Sequence, residues 1–137
     1  MKPLLQKVDC VEIPVPDLEA ALEFYRAKLG HELIWRSPTQ AGLRLPHSDS
    51  EILLQTERPD PEVDWLVESA DRAAEDFARA GGTVVEPPFD IPVGRCAVVR
   101  DPWGNRLVLL DLSRGTYRTD PQGNIIGLDK PPPLHGG

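Results

Sequence analysis

Glu12, in the stretch VDCVEIPV, and Asp64, in VDWLVES, are the first places where this chain could do chemistry. Both lie on strand-like runs, and they would form a carboxylate pair for general acid–base work if those two runs adjoin. Cys10 stands two residues before Glu12, but a cysteine nucleophile needs a histidine base beside it. The three histidines offer none. His31 follows the helix-ending Gly30, His47 lies in the polar turn PHSDS, and His135 is in the tail. Each reads as a surface histidine. No Walker, Rossmann, zinc-finger or metalloprotease pattern is present, and Gly81-Gly82 closes a helix rather than cradling a phosphate. Arg44 and Arg106 are candidate anion partners, and Trp35 could supply a stacking surface or simply pack into the core.

Composition narrows the classes of partner. At 137 residues the chain has the length of one domain, and its hydrophobic fraction of 40% suits a soluble globular protein. A net charge of −7 argues against nucleic acid, which is bound through Lys and Arg on phosphates, and favours neutral or cationic ligands. No apolar run approaches the roughly 20 residues of a membrane span, so no membrane partner is expected. The opening MKPLLQKVDC has too short an apolar stretch for a signal peptide, which sets a cytoplasmic location as the expectation. Cys10 and Cys96, both inside apolar runs, read as reduced thiols rather than a disulfide framework.

The elements that must position these residues repeat. VDCVEIPVPD alternates as a half-buried strand. DLEAALEFYRAKLG reads as a helix with Asp17 as N-cap, an apolar stripe of Leu18, Ala21, Leu22, Tyr25 and Leu29, and Gly30 as its stop. HELIWRS, GLRLP and EILLQTE follow as three short strands. The second half does the same: VDWLVES, the helix ADRAAEDFARAGG, then TVVEPPF, GRCAVVRD and NRLVLLDL. The order is βαβββ twice, and the turn DPWGN joins the last two strands.

VEIPVPDLEAALEFYRAKLGHELIW resembles the opening module of the vicinal-oxygen-chelate superfamily, which holds glyoxalases, extradiol dioxygenases and bleomycin resistance proteins. RDPWGNRLVLL resembles that superfamily's closing DPxGN turn and strand. The resemblance implies an α+β chain of two βαβββ modules, about 7–58 and 62–112, forming a half-open barrel around a cavity within a homodimer. Residues 113–137 are then an ordered C-terminal extension, with Tyr117, Ile125, Ile126 and Leu128 expected to dock on this chain or on a partner. In the superfamily's enzymes His, Glu or Gln ligands to a divalent metal come from fixed strand positions. Counted from local landmarks, those positions are Cys10, Gln55 (or Leu54), Asp64 and Val108. Strand alternation puts Cys10, Glu12 and Pro14 on the cavity face, with Glu51, Leu53 and Gln55, with Asp64, Leu66 and Glu68, and with Arg106, Val108 and Leu110. Ile52, Leu54, Leu107 and Leu109 then cover the helices.

A thiol, an amide, a carboxylate and an isopropyl group do not make a divalent-metal site. The expectation is therefore a metal-free protein, without cofactor, that binds a small organic ligand, cationic or aromatic, through Cys10, Glu12, Trp35, Gln55, Asp64 and Val108, with no catalytic residues assigned. Two alternatives stand beside it: a metal-dependent lyase or dioxygenase with an unusual ligand set, and an interaction module whose pocket is vestigial.

Overall fold

A computed structural model describes residues 2–130, and the chain packs as two units. One comprises Lys7–Asp64 with Thr119–Ile126; the other holds Trp65–Arg118 with the chain's two terminal segments. His135 and the end of the extension lie outside the described residues.

In the first unit, β1 (Lys7–Pro14) leads into α1 (Leu18–Leu22). Asp17 caps that helix, its carboxylate accepting from Ala20 N at 3.0 Å. The expected single helix then changes pitch. Glu23–Lys28 is a π-helix, with Leu29 N donating to Phe24 O at 3.0 Å. The wider turn rotates the apolar stripe out of phase. Leu18, Ala21 and Leu22 stay buried, but Leu29, expected on the same stripe, is 51% exposed.

Strands β2 (Leu33–Arg36), β3 (Gln40–Arg44) and β4 (Glu51–Gln55) follow, in the order β2-β3-β4-β1, with the start of β5 (Glu62–Leu66) beside β1. β1 and β4 run parallel; β3 is antiparallel to β4 and to β2. Ile13, Leu33, Ala41, Leu43, Ile52 and Leu54 pack with the helix as this unit's core. The opposite face holds in-register rows: Glu12 beside Leu53, Leu53 beside Gly42, Gly42 beside Trp35. Cys10 pairs with Glu51, and Pro14 with Gln55, on the same face.

In the second unit the end of β5 leads to α2 (Ala70–Arg79), then β6 (Thr83–Ile91), β7 (Gly94–Arg100) and β8 (Arg106–Leu110). β7 lies between β6 and β8, antiparallel to both. Ser69 caps α2 by accepting from Arg72 N, and Ala70, Ala73, Val99, Leu107 and Leu109 form the core beneath that helix. Asp111, only 4% exposed, accepts from Ala70 N, Arg95 N and both donors of Ser113. Burial alone would raise its pKa, but these bonds hold it below the usual carboxylate range. β6 runs beyond the expected TVVEPPF, and its register breaks around Pro87-Pro88, which have no N–H to donate.

Each half is thus βαβββ, and the fold is α+β. β9 (Thr116–Thr119) and β10 (Ile125–Asp129) add a hairpin whose turn, Asp120-Pro121-Gln122-Gly123-Asn124, repeats the DPxGN pattern of residues 101–105. In both turns the Asp carboxylate accepts from two backbone N–H groups and from the Asn side chain, and the Gly takes a φ near +90°. The second turn meets β2, with Arg36 N donating to Gly123 O at 2.7 Å. Of the four apolar residues expected to dock, Tyr117 and Ile125 are half-buried, whereas Ile126 and Leu128 are exposed on this chain.

Candidate functional site

The helix-free face of the first unit gathers acids where apolar residues would be the ordinary choice. Cys10, Glu12, Gln55 and Asp64 are all buried, at 6%, 2%, 0% and 6% exposure. β1 supplies the first two, β4 the third and β5 the fourth. Glu12, Glu62 and Asp64 each bring a carboxylate oxygen within 4.8 Å of the others.

Three carboxylates so close need a counter-charge. Arg58 supplies it, from the loop between β4 and β5. Its Nη2 donates to Glu12 Oε1, and its Nε lies 3.8 Å from Glu62 Oε2. Burial would lower the pKa of this guanidinium, but the hydrogen bond and charge of Glu12 raise it, so Arg58 is a permanent cation. A proton removes one of the two charges that remain. Burial, then the hydrogen bond and charge of Glu12, push the Asp64 pKa up to about 9. Asp64 is therefore neutral at pH 7. Cys10 Sγ donates to Asp64 Oδ2 at 3.2 Å, while Asp64 Oδ1 meets no donor. Burial and the nearby acids also push the Cys10 thiol up, keeping it a thiol.

Gln55 explains how Arg58 reaches its place. Its Oε1 accepts from Glu57 N and Arg58 N, both at 2.8 Å, and its Nε2 donates to Arg58 O at 3.0 Å. The amide is spent on the loop and fixes its path. Leu54, the alternative at this position, points to the helix side.

Trp35 lies over Gly42. A Cβ built on Gly42 would stand 2.2 Å from Trp35 Nε1, so only glycine admits the indole there. Nε1 donates to Glu51 Oε1 at 2.9 Å. Burial raises the Glu51 pKa despite that bond. Trp35 thus shares a face with Glu12, three strands and about 14 Å away at the usual strand spacing.

The structure therefore brings together Cys10, Glu12, Gln55 and Asp64, and lays Trp35 on the same face. Val108 belongs to the second unit, where it is buried in an apolar cluster with Cys96, Val98 and Leu110, packed by Leu66, Ile91 and Leu112. Glu68, expected on the cavity face, is exposed and pairs with Lys2 at 3.2 Å. Arg44 pairs with Glu32 instead of waiting for an anion. His31 borders a separate open cleft of about 520 Å³ beside the helix, with Glu19, Arg26 and Arg36. Arg58 and Glu62 escaped the sequence reading. Their signal was an arginine four residues before an acid in RPDPE, in a loop that looked like a linker.

The four positions that the resemblance assigns to a metal do not fit one. Cys10 brings a thiol already turned on Asp64, Gln55 has its amide oxygen spent on the loop, Val108 has no donor atom, and Asp64 alone brings a carboxylate.

Comparison with known proteins agrees with the fold. The sequence profile of the Glyoxalase/Bleomycin resistance protein/Dioxygenase superfamily matches residues 7–109. CFP32 of Mycobacterium tuberculosis and of Mycobacterium bovis, which carries a glyoxylase name, is 40% identical over 98 residues, 65% of this chain. The chain spans 37% of the length of those relatives. Methylmalonyl-CoA epimerase from Mycobacterium tuberculosis superposes with a TM-score of 0.68 at 21% identity, over 81% of this chain and 91% of the epimerase. A variant of homoprotocatechuate 2,3-dioxygenase from B. fuscum gives a TM-score of 0.57 at 19% identity, over 80% of this chain and 33% of the dioxygenase. With the profile covering most of its length and both halves folded as βαβββ, the chain belongs to the glyoxalase/bleomycin resistance protein/dioxygenase superfamily.

Proposed function

We propose that this chain binds a small organic ligand without a metal, on the helix-free face of the first unit, and that the ligand is cationic and aromatic. The observation that carries this reading is Arg58: the cation among Glu12, Glu62 and Asp64 is a side chain, and Gln55 is fully committed to holding it there. Trp35 over Gly42 gives a flat apolar surface on the same face, and Glu51 beside it adds an acceptor. The acidic balance of the chain favours a cation over an anion.

The test is a thermal-shift and calorimetric screen of cationic aromatic compounds, run with and without EDTA. A bound compound raises Tm in proportion to the logarithm of its excess over Kd, and the chelator leaves that rise unchanged. A rise seen only without EDTA supports the second reading, a metal-dependent enzyme built on Glu12, Glu62 and Asp64, whose closeness is the observation in its favour. No rise with any compound supports an interaction module. A homodimer belongs to the same proposal, and deleting residues 115–137, which carry the exposed Ile126 and Leu128, tests it by light scattering.

A further inference from the structure

We propose that the cleft beside the π-helix of the first unit is a second binding site, separate from the acid-lined face, and that it takes a small apolar α-amino acid in its zwitterionic form.

The cleft has a volume of about 520 Å³, within the roughly 300–1,000 Å³ of small-molecule sites. Leu22, Ala27 and Leu33 give it apolar lining. One wall is the π-helix, which contributes Glu23, Arg26 and Ala27. Widened turns of this kind recur at functional sites. Another wall is β2, and it is held in place. Arg36 N donates to Gly123 O at 2.7 Å, and a Cβ on Gly123 would stand 2.7 Å from Leu33 Cδ2.

The charges decide the ligand. Glu19, Glu23 and Glu32 line the cleft with Arg26, Arg36 and His31, whose Nδ1 donates to Arg44 O at 3.1 Å. Glu19 is spent on Arg36, and Glu32 on Arg44. Glu23 and Arg26 remain, and among the described residues neither has an ion-pair partner. One unspent charge of each sign beside apolar side chains matches an ammonium and a carboxylate on one carbon that also bears an apolar group. Arg36 adds to the carboxylate end. Its guanidinium carries five N–H groups, of which Glu19 accepts from Nη2, and its side chain, only 24% exposed, is held in the wall.

The experiment titrates the wild-type protein with L-phenylalanine, 3-phenylpropionate and phenethylamine at matched ionic strength, following Tm and the backbone amide NMR signals. L-Phenylalanine should raise Tm by about 4 °C at ten times its Kd and shift the signals of Arg26, Ala27, His31 and Leu33 saturably. The two probes that lack one charge should bind there at least about tenfold more weakly. Arg26→Gln should weaken L-phenylalanine and 3-phenylpropionate alike, whereas Glu23→Gln should weaken L-phenylalanine alone. Both side chains are exposed, so neither change touches the core. Equal binding of either one-charge probe at the cleft overturns the zwitterion, as does unchanged L-phenylalanine binding by both variants. Shifts confined to Glu12, Trp35 and Asp64, or no shift at all, overturn the site. Reading the two faces by separate signals keeps this inference distinct from the ligand proposed for the acid-lined face.

Discussion

Replacing Asp64 by Asn should make the protein more stable at neutral pH, although the residue is buried and hydrogen-bonded. Asn keeps the size and neutrality of the protonated acid, can donate toward Glu12, and can accept from the Cys10 thiol. What it removes is the pull of the unfolded chain toward ionisation. With a folded pKa of about 9, Asp64 stays protonated from pH 5 to 8, while in an unfolded chain it ionises near pH 4. The native state therefore binds one more proton than the unfolded state across this window. Stability falls as pH rises, by up to about 1.4 kcal/mol per pH unit. At pH 7 the three units above the unfolded value amount to about 4 kcal/mol, reduced to about 2 kcal/mol by relaxation around the coupled acids. Asp9 and Glu51, also raised by burial, add slope of the same sign, and the difference between the two proteins isolates Asp64. Urea denaturation from pH 5 to 8 measures it. Wild type should lose stability with pH, the Asp64→Asn line should be flatter, and the two should converge toward pH 4. Parallel lines, or an Asn variant less stable at pH 8, would refute the protonated acid.

Three other expectations come from single contacts. Asp111→Ala removes four hydrogen bonds, among them that to the first N–H of α2, and should cost about 3 kcal/mol, roughly 10 °C in Tm by calorimetry. Its lowered pKa also makes Asp111 a stabiliser that is lost as pH falls below about 4, so Asp111→Asn should weaken the acid limb of the stability curve. Gly42→Ala should drive the Trp35 indole off its seat, break the bond to Glu51 and shift tryptophan emission to the red, because the added carbon would overlap Nε1. Cys10 and Cys96 should resist Ellman's reagent at pH 8 in the native state and react fully in denaturant, since both thiols are buried.

Periodicity made the frame legible. The βαβββ order, the cap at Asp17, and the faces of β4 and β8 that cover the helices all follow from local patterns, which local physics sets. The π-helix was not legible. No residue in EFYRAK signals a widened turn, and it is the reason Leu29 leaves the stripe. The second DPxGN turn was present in the letters of 120–124, and its carboxylate-to-Asn bonding repeats the first. Alternation put Cys10, Glu12, Gln55 and Asp64 on one face, and the structure brings these four together. It could not show what neutralises them. Arg58 reaches Glu12 across 46 positions of sequence, through a Pro-rich loop whose path is fixed by Gln55. A residue expected to point outward at a ligand is in fact turned on its own loop. That non-local arrangement is where reading by pattern stops.

In the proposed site the cation is the protein's own Arg58. Its most direct test is elemental analysis of protein purified from medium supplemented with manganese, iron, nickel and zinc, followed by calorimetric titration of each ion. With Arg58 in place, metal should stay far below one ion per chain, with no saturable heat in the wild-type protein. One tightly held ion per chain, lost on Glu12→Gln, would contradict it.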